Sequence, residues 1–405
     1  MTRRSAVSMI VLGFVVTVGL LQFTIQDTKA TPNWARKYKA DCAMCHLPSG
    51  PQRLNSYGQQ FRRAGYRTPD EFNQDQDVTR VGDLLGTRLR SRFGYESHRG
   101  EVSRTEFTLQ DFSIFYSGAV TRNLSAWTHT NIGSDGVVVF DGFAQGVFGN
   151  SDRFASVKIG ELHGFSQTGF GTLDRPTGIN APSVFTTRLT NGGAPFIIDT
   201  IQKGLEASYV YGPGRLYAQV LNGVNSTGSG TASKVDIDAG KDFLVAYEHI
   251  LDDLWSGLTL FFYDGNTHGT VTPLGRRFDF SRLGITANKV VPIGGAGFLE
   301  LQAGYIRSHD NVPAQVGTDK DGNAFYVEAD QYLMGPELAF LERFVLIDQD
   351  VPRPHSTRKD YTAGVVTRWQ TWMRVALEYT YTDNRDNQVN GSSGHSALLE
   401  CLFGW

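Results

Sequence analysis

From about Val78 onward, apolar and polar residues alternate with a period of two. Leu85, Leu89, Phe93 and Tyr95 share one face of a strand, and Arg88, Arg90 and Arg92 share the other. Leu205, Ala207, Tyr209 and Tyr211 alternate with Glu206 and Ser208. Gly212-Pro213-Gly214 then makes a tight turn, and Leu216, Ala218 and Val220 answer on the next strand. Near the end, Met373, Val375, Leu377, Tyr379 and Tyr381 alternate with Arg374, Glu378 and Thr380. Further strands are expected around 107–118, 124–131, 137–148, 155–165, 243–250, 256–264, 277–287, 297–307 and 361–369. No long amphipathic helix intervenes, which excludes parallel α/β folds, whose crossovers require one.

Alternation alone also suits a sandwich, so the polar face has to decide. Three arginines on one strand face need water and counter-charges. The lumen of a transmembrane barrel supplies both, while lipid takes the apolar face. Tyrosine-rich strand ends suit the membrane interfaces. The final run Ala397, Leu399, Cys401, Phe403, Trp405 resembles the C-terminal assembly signal of bacterial outer-membrane barrels. At about 20 residues per strand and connection, residues 78–405 accommodate about 16 strands. The stretches 166–200, 222–241, 308–325 and 335–360 are expected to be external loops or lumen inserts. Asp319-Lys320-Asp321-Gly322-Asn323 is expected to be a turn, because its glycine is misplaced for a calcium loop.

The N-terminal part differs in kind. Met1–Ala30 carries Arg3 and Arg4, an apolar run from Ala6 to Phe23, and a small-residue site at Thr28-Lys29-Ala30. That is the layout of a cleaved export signal. Of three cysteines in 405 residues, two fall in Cys42-Ala43-Met44-Cys45-His46, the attachment motif of c-type haem. Two thiols on one turn reach the two vinyl groups, and the adjacent imidazole reaches the iron. A redox disulfide would want a βαβ context, and zinc a second Cys/His pair nearby. Cys42, Cys45 and His46 are therefore the expected ligands of one covalent haem c, with His46 on the metal. The sixth iron ligand stays open among an empty face and histidines 98, 129, 163, 249, 268, 309, 355 and 395. Leu54, Tyr57 and Phe61 fall on one helical face, expected to lie on the haem, with Gly65 at the helix end. Arg53, Arg62 and Arg63 are candidates for its propionates or for a solvated face.

The charge balance, 38 basic against 41 acidic residues, supplies no field for nucleic acid. Glycine (45 residues) and an aromatic share of 12% suit short strands and many turns, and exclude disorder. A single long apolar run excludes a bundle of membrane helices. The expected organisation is a signal peptide at 1–30, a monohaem cytochrome c segment at 31–67, a linker at 68–77 and an outer-membrane barrel at 78–405. The fold class is mainly all-β, a transmembrane antiparallel barrel with a short N-terminal α-helical haem segment.

A short haem segment followed by one barrel resembles the fused monohaem cytochrome–porins of the outer membrane, which include the outer-membrane iron oxidases. The likeness rests on Pro32-Asn33-Trp34-Ala35-Arg36, the Cys42–His46 motif, and Leu54-Asn55-x-x-Gly58-x-x-Phe61-x-x-x-Gly65-Tyr66. Trp34 stands where phenylalanine is expected. The resemblance implies a carrier of electrons from an extracellular donor, Fe(II) foremost, to a periplasmic cytochrome. With iron as donor the activity is that of an Fe(II):cytochrome c oxidoreductase. A haem seated in the pore shortens the hops across a hydrocarbon core of about 30 Å, and the inward arginines 88, 90 and 92 are expected to hold the plug. The alternative is a porin-type solute channel whose haem segment is a plug or sensor; a soluble periplasmic β-protein is a third reading. Lipid is the surrounding partner. The oligomeric state is open, trimers being common among porin-like barrels.

Overall fold

The computed structural model describes residues 33–47, 50–133, 138–163, 176–194, 196–223, 240–254, 256–268, 277–312, 317–333, 337–351, 356–370, 373–384 and 393–404. The expected export signal at 1–30 and the terminal Trp405 lie outside these residues.

The N-terminal part is small and irregular. It contains α1 (Asn33–Tyr38), a 3-10 turn (Cys42–Met44), β1 (His46–Leu47), β2 (Gly50–Leu54) and α2 (Ser56–Arg63). A second 3-10 turn, Pro69–Glu71, and a third, Val81–Asp83, lead to the sheet. Sixteen antiparallel strands follow. They are β3 (Leu85–His98), β4 (Arg104–Ala119), β5 (Leu124–Ile132), β6 (Val138–Gly149), β7 (Arg153–His163) and β8 (Ile201–Tyr211). Next come β9 (Gly214–Leu221), β10 (Asp242–Ile250), β11 (Gly257–His268), β12 (Arg277–Pro292) and β13 (Gly297–Asn311). The last are β14 (Lys320–Leu333), β15 (Leu338–Asp348), β16 (Thr357–Gln370), β17 (Met373–Asp383) and β18 (Gly394–Gly404). Each strand pairs with its sequence neighbour, and β18 closes the ring on β3 in the register Leu399↔Phe93. Closure leaves no unpaired edge.

The period of two sorts the side chains as lipid requires. Ile159, Leu205, Leu216, Val245, Leu283 and Leu301 point outward and are exposed, while their strand neighbours point into the lumen. The inward set is charged yet dry. Arg282 Nη1 lies 2.6 Å from Asp310 Oδ1, Arg374 Nη1 lies 2.7 Å from Glu400 Oε1, and Arg343 pairs with Glu328. Connections at the end where the chain enters take two to six residues, as at 212–213 and 251–256. Those at the other end take five residues or more, up to 164–200.

Among the described residues, two segments enter the lumen. One is the N-terminal segment. The other is the described part of 176–200, with α3 (Ser183–Thr186) and the buried Val184, Phe185, Leu189 and Phe196. Arg374 Nη2 donates to Thr177 O at 2.8 Å, Glu378 accepts from Ile179 N at 2.8 Å, and Asp310 accepts from Ala194 N at 2.7 Å.

That insert explains two corrections. Residues 320–325 and 338–348, which fall in expected irregular stretches, belong to strands β14 and β15. Their inward faces carry Ala324, Tyr326, Val345 and Ile347, packed in one cluster with Val184 and Phe185. Apolar residues on both faces erase the alternation. The expected turn at 319–323 is accordingly the start of β14, with Asp321 Oδ1 2.9 Å from His309 Nδ1 on β13.

Candidate functional site

The haem-type motif is built by a short set of backbone bonds. Cys42–Met44 forms one 3-10 turn, and Cys45 N donates to Cys42 O at 3.1 Å. The two thiols, not joined to each other, thus stand three residues apart on that turn. Burial pushes the Cys42 thiol above its ordinary value, with Arg368 opposing it, so it is a neutral thiol at neutral pH.

Asn55 clamps this turn. Its backbone N–H donates to Cys45 O at 3.0 Å, and its Nδ2 donates to Met44 O at 3.1 Å. As N-cap of α2 it also accepts from Gly58 N at 2.9 Å. Leu54 therefore lies in β2, and the expected helix begins only at Ser56. Phe61 packs on aromatic rings of its own segment. Trp34 meets it edge-on at 5.3 Å and stacks on Tyr66 at 5.0 Å, while Tyr38 meets it edge-on at 5.7 Å.

The segment is held by the barrel through its own cations. Arg53 Nε donates to Glu300 at 3.1 Å and Arg63 Nη2 to Glu248 at 2.6 Å, both pairs buried. Arg67 donates to Ser125 Oγ and to the carbonyls of Thr121 and Leu124, each at 2.9 Å. Arg53 and Arg63 are thus committed to wall carboxylates, away from the expected propionates. The arginine ladder also has another role than holding the plug. Arg88 and Arg90 both pair with the buried Asp111, and Arg92 pairs with Glu400 at 2.7 Å.

Between the two fillings remains a cavity of about 860 Å³. His46 and Trp34 line it from the N-terminal segment, and Ile179 from the lumen insert. Arg88, Arg90, Phe115 and His129 line it from the wall. Its volume falls in the range of cofactor sites, ~300–1,000 Å³. Of the three expected ligands, His46 reaches this cavity, and the two thiols sit on the turn immediately before it in the chain. Arg88 and Arg90 share the Asp111 carboxylate on this wall, and guanidiniums suit the acid groups of such a cofactor. Unlinked thiols at i and i+3, an adjacent imidazole on a cofactor-sized cavity and aromatic walls together fit a covalent haem. The wall carboxylates Glu248 and Glu300 escape sequence reasoning, because each reads as an ordinary polar strand position, while the cavity imidazole His129 is one of the eight histidines that the sequence leaves open.

No protein-family model matches the chain, and no curated protein matches it. Solved structures do. A porin of Comamonas acidovorans, described as anion-selective, is similar over 79% of this chain and 98% of its own, at 13% identity and a TM-score of 0.58. OmpF of Salmonella typhi, solved with daunomycin, covers 79% and 97% at 12% identity and 0.54. OmpT of Vibrio cholerae in a trimer form covers 79% and 99% at 11% identity and 0.53. The chain has the fold of a porin-like 16-stranded barrel.

Proposed function

We propose that this is a bacterial outer-membrane barrel carrying one covalent haem c on Cys42, Cys45 and His46, which conducts electrons inward from an extracellular donor, Fe(II) foremost. The acceptor is a periplasmic carrier such as a cytochrome. The observation that carries the reading is the Cys42–His46 turn, whose imidazole lines a cofactor-sized cavity in the lumen. Haem bound there supplies a one-electron redox centre. The protein's part is to hold it: Asn55 fixes the turn, Arg53 and Arg63 fix the segment to the wall, and Ile179, Phe115 and Trp127 exclude water.

A second reading, a porin-type solute channel with the N-terminal segment as plug, is favoured by the fold and by one feature. The cavity is lined along β3 from Gly86 to His98, next to Arg88 and Arg90. The anion selectivity stated for the Comamonas porin would suit that wall. Either reading accommodates a homo-trimer in lipid.

Two measurements on purified mature protein separate them. The first reading expects a covalent c-type haem spectrum, low conductance in planar bilayers, and fast stoichiometric reduction of the ferric haem by Fe(II) under argon. His46→Ala abolishes that reduction where haem still attaches. Failure of Fe(II) to reduce a haem that dithionite reduces overturns iron as donor. Haem-free protein with porin-sized conductance overturns the first reading in favour of the second.

A further inference from the structure

We propose that His129, on the barrel wall, is the second axial ligand of the iron held by His46. The inference rests on the haem reading above and concerns the barrel wall of the cavity that His46 also lines.

His129 occupies the middle of β5, whose inward residues climb away from the N-terminal segment. Ser125 accepts from Arg67, and Trp127 packs on the cluster that contains Phe61 and Tyr66. His129 comes next, about 13 Å along the strand from Ser125 at roughly 3.4 Å per residue. It therefore stands one inward position beyond the segment's packed surface, where the cavity begins.

The ring is built into that position from both sides. In register it sits opposite Phe115 on β4 and opposite Asp141 on β6. The Phe115 ring stacks on it at 4.6 Å with an interplanar angle of 2°. Its Nδ1 lies 3.0 Å from Asp141 Oδ1, and Asp141 is itself buried. The other nitrogen, Nε2, is buried and makes no hydrogen bond among the described residues. A buried carboxylate close to one nitrogen of an imidazole, with the other nitrogen turned away from protein partners, is an arrangement common among metal-ligating histidines.

Other ligands compete poorly. Among the described residues lining the cavity, the imidazoles beside His46 are His129 and His98, and no methionine lines it. His98 is exposed at the far end of β3, twelve residues from Gly86. Gly86 pairs with Phe115, and so marks the level of His129. Twelve residues of strand span about 40 Å. Met44 sits between the two cysteines, on the side of the motif that His46 serves.

The test uses mature holoprotein in detergent, with covalent haem confirmed by its pyridine haemochrome and the barrel by heat-modifiable migration on gels. The ferric wild type is expected to be six-coordinate and low-spin, with the near-infrared magnetic circular dichroism band of paired imidazoles. His129→Ala converts it to high-spin, carbon monoxide binds the ferrous form at least tenfold faster, and added imidazole restores the low-spin spectrum. His98→Ala changes none of these. Asp141→Asn, acting through a positioning residue, raises the midpoint potential, because a less polarised imidazole stabilises ferric iron less.

A high-spin wild type overturns the assignment, as does a low-spin spectrum that survives His129→Ala. Should that variant lose haem or fail to fold, the wild-type near-infrared band decides, since histidine–methionine ligation gives a different band. Wild type with no covalent haem overturns the haem reading itself and this assignment with it.

Discussion

A Cβ on Gly58 would lie 2.2 Å from the carbonyl oxygen of Cys45. The helix that follows the haem-type motif therefore packs backbone to backbone on it, and only glycine permits the approach. Gly58→Ala must push α2 away from the Cys42–His46 turn, loosening the Asn55 bonds to Met44 and Cys45. The expected result is a loss of about 1–3 kcal/mol locally and a severalfold fall in covalent haem per barrel. Haem stain against total protein reads it, with heat-modifiability as the folding control. Wild-type haem content in the variant sinks the idea.

The Arg53–Glu300 pair pins this segment to β13. Glu300 also accepts from Asn288 at 2.6 Å and Tyr332 at 3.1 Å, so it stays partly satisfied without the arginine. Breaking one side of a buried pair costs about 3–5 kcal/mol. Arg53→Ala is thus expected to free the segment while the barrel stays closed, seen as larger bilayer conductance and faster proteolysis before Asp77. Arg53→Ala with Glu300→Gln should cost less than the sum of the two single changes. Strict additivity would mean that the contact contributes nothing.

Acid should loosen the segment at a second point. Glu71 accepts from Lys37 at 2.9 Å, Tyr38 at 2.7 Å and its own capping partner Thr68 N at 2.9 Å. Burial raises its pKa, but these bonds outweigh burial and hold the carboxyl below its ordinary value. A carboxylate depressed in the folded state stabilises it above the unfolded value of ~4.3, and that contribution disappears as pH falls through the folded value. Amide exchange in α1, corrected for intrinsic rates, is expected to rise below about pH 4. Glu71→Gln should show faster exchange at pH 7, by a cost of about 1 kcal/mol, and no further acid step. A pH step of full size in that variant would point to another group.

Much of this was legible in the chain because two signals are local. Cys42-Ala43-Met44-Cys45-His46 carries the haem proposal within five residues, and alternation such as Leu205–Tyr211 declares a strand with an apolar outward face and a polar face toward the lumen. Where the lumen is apolar, as at Ala324, Tyr326, Val345 and Ile347, alternation vanishes, and the strands hide until the insert that covers them is seen. Pairings across long sequence distance, Arg53 with Glu300 or His129 with the cavity of His46, leave no local trace. They depend on barrel register and on the path of the N-terminal segment.

The wall beside the cavity makes a last claim about charge. Arg90 Nε lies 2.6 Å from Asp111 Oδ2 and Arg88 Nη2 3.3 Å from Oδ1, so one carboxylate answers two guanidiniums. Arg88 also rests on the Phe115 ring at 5.2 Å, which keeps it at the cavity wall. These three groups carry one net positive charge among them, and low-dielectric walls focus its field on a passing ion. Arg88→Gln with Arg90→Gln leaves Asp111 uncompensated and should shift the reversal potential in a salt gradient toward the cation limit relative to the wild type. Asp111→Asn should shift it toward the anion limit. Reversal potentials unchanged across all three would mean that ions bypass this wall, leaving the solute-channel reading with the fold alone in its favour.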